Sequence, residues 1–209
     1  MLRMIAVALG FASGAIGWTF AEYVLHRFAM HELRGRGMAS REHLRHHAIR
    51  NYYATARDKG LTAGAAFAIT LPLGWMLFGP AVAVAFTLGF NLTYFTYEIL
   101  HRRAHTHPPT TEYGRWLRKN HFLHHFSAPL RNLGVSVPLW DRVFASGIPW
   151  DDVIVRVPRR YAMDWLIDER GELRPEFSGD YVLVGSRPND LAQQSADQQA
   201  AFGNQPPAF

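Results

Sequence analysis

All 11 histidines of this 209-residue chain lie between His26 and His125, in four tight groups. The groups read HRFAMH (His26, His31), HLRHH (His43, His46, His47), HRRAHTH (His101, His105, His107) and HFLHH (His121, His124, His125). Histidines used for packing or solvent contact would scatter along the chain. Neutral imidazole binds iron, zinc, copper and nickel well, so this bunching points to a metal centre. His43, His46 and His47 stand at i, i+3 and i+4 and share a helix face, and His121, His124 and His125 repeat the pattern. His101 and His105 are one turn apart on one face. His26 and His31 are five residues apart, which on an α-helix points them in different directions. The helix is therefore expected to end or bend between them. Ten imidazoles exceed the shell of one ion, about six ligands at most, and suit two ions with about five each. His107 follows His105 by two residues, faces elsewhere and precedes Pro108 and Pro109; it is a candidate for a supporting role.

Other residue types narrow the chemistry. A hydrolytic two-metal site recruits Asp or Glu as ligand or bridge, and carboxylates are sparse near these clusters. Glu22 and Glu98 each lie about one turn before a histidine, where the expected task is to accept the other ring N–H and fix its tautomer. The chain has no cysteine. That excludes disulfides, thiolate zinc sites, cysteine-ligated iron–sulfur clusters and cysteine nucleophiles.

The elements that must position these rings are apolar helices. Residues 4–21, 61–78 and 81–100 are almost free of charge, and each is long enough to span a bilayer. Gly79 and Pro80 mark a turn between the last two, so 61–100 reads as a membrane hairpin. A cleaved signal peptide is rejected for the first run, since cleavage would detach it from Glu22 and His26. The expected fold is all-α: about three membrane helices, with a cytoplasmic helical cap that carries the histidines. Arg27, Arg34, Arg36, Arg41, Arg45, Arg50, Arg57 and Lys59 lie between the first two runs, and Arg102, Arg103, Arg115, Arg118 and Lys119 follow the third. The positive-inside tendency puts both stretches in the cytoplasm and residues 78–81 outside. The net charge of +5 thus gathers on the histidine-bearing side, where it suits anionic headgroups or an acidic protein. No nucleic-acid motif accompanies it. The layout is a first span at 1–21, a metal-binding domain at 22–160 including the hairpin, and a C-terminal extension at 161–209. The extension turns polar from Arg187 and is expected to be partly disordered. Residues 127–160 read as a loop and short helix over the site. The two halves, each a helix, a histidine pair and a triple cluster, suggest a loose internal duplication.

The set HRFAMH, HLRHH, HRRAHTH and HFLHH resembles the histidine boxes of the fatty acid hydroxylase superfamily, which includes sterol desaturases, carotene hydroxylases and fatty acid 2-hydroxylases. The stretch Leu133, Gly134, Val135, Ser136, Leu139, Trp140, Asp141 and Phe144 is most similar to the fatty acid 2-hydroxylase type. The resemblance covers residues 20–147 and implies a membrane-embedded oxidoreductase of lipid biosynthesis. It implies two metal ions, iron in the family although an all-imidazole site also takes zinc, with O2 as co-substrate. It carries ligand roles to His26, His31, His43, His46, His47, His101, His105, His121, His124 and His125. Glu22, Glu98, Asp141 and His107 are candidates to support those ligands. No haem-binding His-Pro-Gly-Gly occurs, so electrons are expected from a separate donor protein. The lipid could be fatty acyl, sphingolipid or sterol-like. A carotenoid hydroxylase of the same superfamily is the nearest alternative. A histidine-rich metal transporter would place ligands mid-membrane, and a bis-histidine haem carrier needs only two or four axial ligands.

Overall fold

The computed structural model describes residues 1–186. Helix α1 (Leu2–Val24) runs without a break into a π-helical segment (Leu25–Glu32), followed by α2 (Met38–Ala48). Helices α3 (Ala56–Phe78) and α4 (Pro80–Thr106) form the expected hairpin around Gly79. Thr55 caps α3 by accepting from the Asp58 N–H, and Pro80 opens α4 at a position that needs no N–H partner. Helix α5 (Glu112–Phe126) begins on a Thr111 cap, and a single-turn α6 (Leu139–Val143) lies in the loop beyond it.

Helices α1 and α4 pack with their backbones almost in contact. A Cβ added to Gly14 would stand 2.0 Å from the Phe86 carbonyl oxygen, and one added to Gly89 2.1 Å from that of Phe11. Small residues at such crossings let apolar helices approach where no hydrophobic force separates them from lipid. Helix α3 lies outside this pair. It touches α4 at Gly74 and exposes Phe67, Ile69, Leu73, Trp75 and Met76.

Two helices among the described residues are long and apolar enough to cross a bilayer, Leu2–Glu32 and Ala56–Phe78. Helix α4, the third expected span, is long but less apolar. Asn91 and several threonines lower its hydropathy, although Asn91, Thr93 and Thr96 turn their polar groups back onto carbonyls of their own helix.

The expected break between His26 and His31 is absent. The chain stays helical but widens to the π form over Leu25–Glu32. A π turn bonds residues five apart, so side chains at i and i+5 fall one turn apart on one face.

The C-terminal region holds an element that the all-α expectation lacked. Strand β1 (Val155–Pro158) pairs in parallel with β2 (Tyr181–Val184), so the strands lie on either side of the expected boundary at 160. Around them Val155, Val157, Met163, Trp165, Leu166 and Tyr181 form a core with Phe122 and Leu123 of α5. Residues 161–186 are thus built onto the back of the helix that carries the last histidine box. Asp180 fixes the junction, accepting two bonds from Arg115 (2.6 and 2.8 Å) and pairing with the fully buried Lys119 at 3.0 Å. The polar stretch from Arg187, where disorder was expected, lies outside the described residues.

Candidate metal centre

The ten histidines converge as two groups of five. His26, His31, His43, His47 and His124 form one; His46, His101, His105, His121 and His125 form the other. The division follows a crossing rule. The first group takes the π-segment pair, the outer pair of HLRHH and the middle histidine of HFLHH. The second takes the α4 pair, the outer pair of HFLHH and the middle histidine of HLRHH. Each triple cluster thus serves both groups, and the two halves of the chain exchange one ring. Where the groups meet, His47 and His125 stack at 4.0 Å with an interplanar angle of 6°.

Ring nitrogens within a group stand at the spacing of ligands around one ion. In the first group Nε2 atoms are 3.1 Å apart for His26 and His43, 2.9 Å for His43 and His31, 3.0 Å for His47 and His43, and 3.1 Å for His124 and His31. In the second, His105 and His121 are 2.9 Å apart. Neighbouring donors of an octahedral shell lie √2 times the metal–nitrogen distance apart, and a bond of about 2.1 Å gives about 3.0 Å.

The tautomers agree with this geometry. His26 Nδ1 lies 2.6 Å from the Leu133 carbonyl oxygen, His124 Nδ1 2.9 Å from that of Arg131, and His46 Nδ1 2.8 Å from that of Tyr52. Each carbonyl can only accept, so each Nδ1 carries the proton and each Nε2 presents a lone pair. Lone pairs 3 Å apart repel unless a cation sits between them. The buried Nε2 atoms of His46, His101 and His125 have no hydrogen-bond partner among the described residues. Burial also pushes His46 down to about 4 and holds His43, His121, His124 and His125 well below the usual imidazole range. All are therefore neutral at pH 7, the form that binds metal. The donor set fits two ions.

The supporting residues act differently from the sequence expectation. Glu22 is buried but touches no imidazole. Its carboxylate accepts from the Val135 and Ser136 N–H groups (2.6 and 3.0 Å) and from the Ser136 hydroxyl. Helical Glu22 points away from the ring four residues on because the loop 133–136 supplies better donors. Glu98 pairs with Lys59 across the α3–α4 hairpin instead of backing His101. Asp141, also buried, accepts from the N–H groups of Leu133 (3.0 Å) and Gly134 (2.7 Å) and from the Ser146 hydroxyl (2.7 Å). Glu22 and Asp141 thus hold the loop whose Leu133 carbonyl orients His26. His107 is exposed, bonded to Thr106 and outside both groups. Sequence reasoning missed the carbonyls of Tyr52, Arg131 and Leu133, since every residue has one and none is marked by its side chain.

A cavity of ≈ 130 Å³ reaches the centre from the side of α1, α2 and α4. His43, His46 and His101 lie on its wall, and Trp18, Leu25, Met30, Met38, Tyr94 and Tyr97 make most of it apolar or aromatic.

Comparison with known proteins identifies the family. Residues 11–146 match the fatty acid hydroxylase family model. Two Arabidopsis thaliana proteins named dihydroceramide fatty acyl 2-hydroxylase are similar. FAH2 is 31% identical over 67% of this chain, and FAH1 is 30% identical over 64%. The chain covers 61% and 58% of those relatives' lengths. The fold resembles that of full-length scs7p, in which only the hydroxylase domain is visible. The TM-score there is 0.55 at 23% identity, over 70% of this chain and 57% of that one. With the family model spanning the helices that carry every histidine, the chain belongs to the fatty acid hydroxylase family.

Proposed function

We propose that this protein is a membrane-bound, O2-dependent oxidoreductase that hydroxylates a C–H bond of a fatty acyl lipid at a two-metal centre. The observation that carries the reading is the convergence of two five-imidazole groups beside an apolar cavity. His26, His31, His43, His47 and His124 hold one ion; His46, His101, His105, His121 and His125 hold the other. Bound there, redox-active ions such as iron supply the O2 activation that no side chain can provide. The remaining work falls to the chain itself. The loop at 131–136 keeps the rings of His26 and His124 in one tautomer, and Tyr52 does the same for His46. Apolar walls around Trp18 and Tyr97 take the acyl chain and keep water away from the reacting carbon.

Three features support a membrane setting: the exposed apolar faces of α1 and α3, their length, and the exposed Arg34, Arg36, Arg41, Arg57, Arg102 and Arg103 at the histidine-bearing ends. In this reading α1, α3 and α4 span the bilayer, the histidines face the cytoplasm, and a separate donor protein delivers electrons. The relatives' names favour a sphingolipid acyl chain over sterol or carotenoid. A transporter would need ligands along the spans, whereas these rings sit at helix ends.

Lipid mass spectrometry of cells expressing the chain, with and without His46→Ala and His124→Ala, tests the proposal. Acyl lipids 16 Da heavier, present only with the intact chain, support it. An unchanged lipid profile with metal-loaded protein and an electron donor present rejects it.

A further inference from the structure

One buried hydroxyl in the cavity wall has no partner among the described residues and sits beside the second histidine group. The Tyr53 hydroxyl is buried and unbonded. The Tyr53 ring lies 5.6 Å from that of His46 and 6.2 Å from that of His105, and the Arg102 guanidinium covers it at 5.0 Å. The neighbouring Tyr52 carbonyl orients His46, so this short segment is fixed with respect to the centre.

Most other polar side chains on this wall are engaged, and the Tyr97 ring stacks on that of His101. Glu42 accepts from Arg45 and Tyr52, Asp58 from Thr55, and Lys59 pairs with Glu98. Thr62 and Tyr94 donate to main-chain carbonyls. Apart from imidazoles, Tyr53 and Trp18 are the described lining residues with a fully buried polar side-chain atom that has no hydrogen-bond partner. The Trp18 ring packs among Phe90, Tyr94 and Tyr97 and touches no histidine ring. Buried donors are almost always satisfied, and an exception at a site calls for a ligand atom.

We propose that Tyr53 is a specificity-determining residue: its hydroxyl donates a hydrogen bond to the carbonyl oxygen of the bound acyl group and sets which carbon faces the His46 group. The inference rests on the acyl-lipid reading above. An acyl chain has one polar group near its reactive end. A donor beside His46 and His105 holds that group next to the centre, so the carbon adjoining the carbonyl meets the histidines. A smooth apolar wall would let the chain slide.

Tyr53→Phe removes the oxygen and keeps the ring. Metal content stays at the wild-type level. The KM for an N-acyl substrate rises about 3- to 10-fold, the range of one neutral hydrogen bond, and the hydroxyl spreads over neighbouring carbons in fragment spectra. Binding to zinc-loaded protein in nanodiscs, which cannot turn over, gives a second readout. Decanamide affinity falls by the same factor in the variant, while decane affinity is unchanged. Equal decanamide affinity in both proteins overturns the proposal, as does an unchanged product position. Loss of metal in Tyr53→Phe also overturns it, by making the residue structural. Because the binding arm needs no turnover, it decides about Tyr53 even if the hydroxylase reading fails.

Discussion

Asp141 and Glu22 hold the same loop, yet amide substitution should affect them unequally. Oδ1 of Asp141 accepts from the Leu133 N–H and the Ser146 hydroxyl, and Oδ2 accepts from the Gly134 N–H. In Asp141→Asn one of these positions becomes an NH2 group. Either flip sets that donor against a main-chain N–H that cannot reverse. One charge-assisted bond, worth about 1.5–3 kcal/mol, is lost, and a buried N–H is left unpaired at a further cost of about 1–3 kcal/mol. The expected destabilisation is about 3–5 kcal/mol. In Glu22→Gln the carbonyl oxygen can keep both the Val135 and Ser136 N–H groups, since one carboxylate oxygen takes both. The new NH2 then faces the Ser136 hydroxyl, which rotates to accept. Only charge assistance goes, a cost of about 1 kcal/mol. Because the Leu133 carbonyl orients His26, Asp141→Asn should also weaken metal at the His26 group by about 10- to 100-fold. Chelator titration with elemental analysis and a thermal melt measure both effects. Equal behaviour of the two variants, with both ions retained at wild-type affinity, would refute the claim that this loop positions His26.

Gly89→Ala should sharply lower the thermal stability of detergent-solubilised protein, because its Cβ would stand 2.1 Å from the Phe11 carbonyl oxygen; Gly64→Ala, with nothing within 4 Å, should not. Asp180→Ala leaves the buried Lys119 without its counter-charge and should cost about 3–5 kcal/mol in denaturant unfolding. Arg115→Ala, whose partner keeps Lys119 and whose side chain is 44% exposed, should cost about 1 kcal/mol or less. His105→Ala should release the ion of its group in elemental analysis, whereas His107→Ala should keep both ions.

Much of the site was readable because metal ligation needs particular side chains at particular spacings. The ten histidines and a count of about five for each ion follow from type and period, and the same spacing set His107 apart from its neighbours, although it stayed a candidate for a supporting role. The crossing of His46 and His124 does not follow from a shared face alone, although the helical period hints at it. Residues 46 and 47 differ by about 100° around the axis while 43 and 47 differ by about 40°, so the i, i+4 pair stays together and the i+3 ring turns aside. The spacing of His26 and His31 was misread because a π segment has no sequence signature of its own, and the α period was assumed. Glu22 and Glu98 were misassigned for a similar reason. Proximity along a helix places a carboxylate near a ring, but the partner is chosen in three dimensions, by loop N–H groups for one and Lys59 for the other. The C-terminal strand pair was invisible, since four-residue strands such as VRVP and YVLV acquire meaning only through a partner more than 20 residues away.

Anomalous diffraction at the metal edge, on crystals of iron- or zinc-reconstituted protein, tests the central claim most directly. The account predicts two peaks per chain: one surrounded by His26, His31, His43, His47 and His124, the other by His46, His101, His105, His121 and His125. A single peak, or a peak in which His46 and His124 ligate the ions opposite to this assignment, would contradict it.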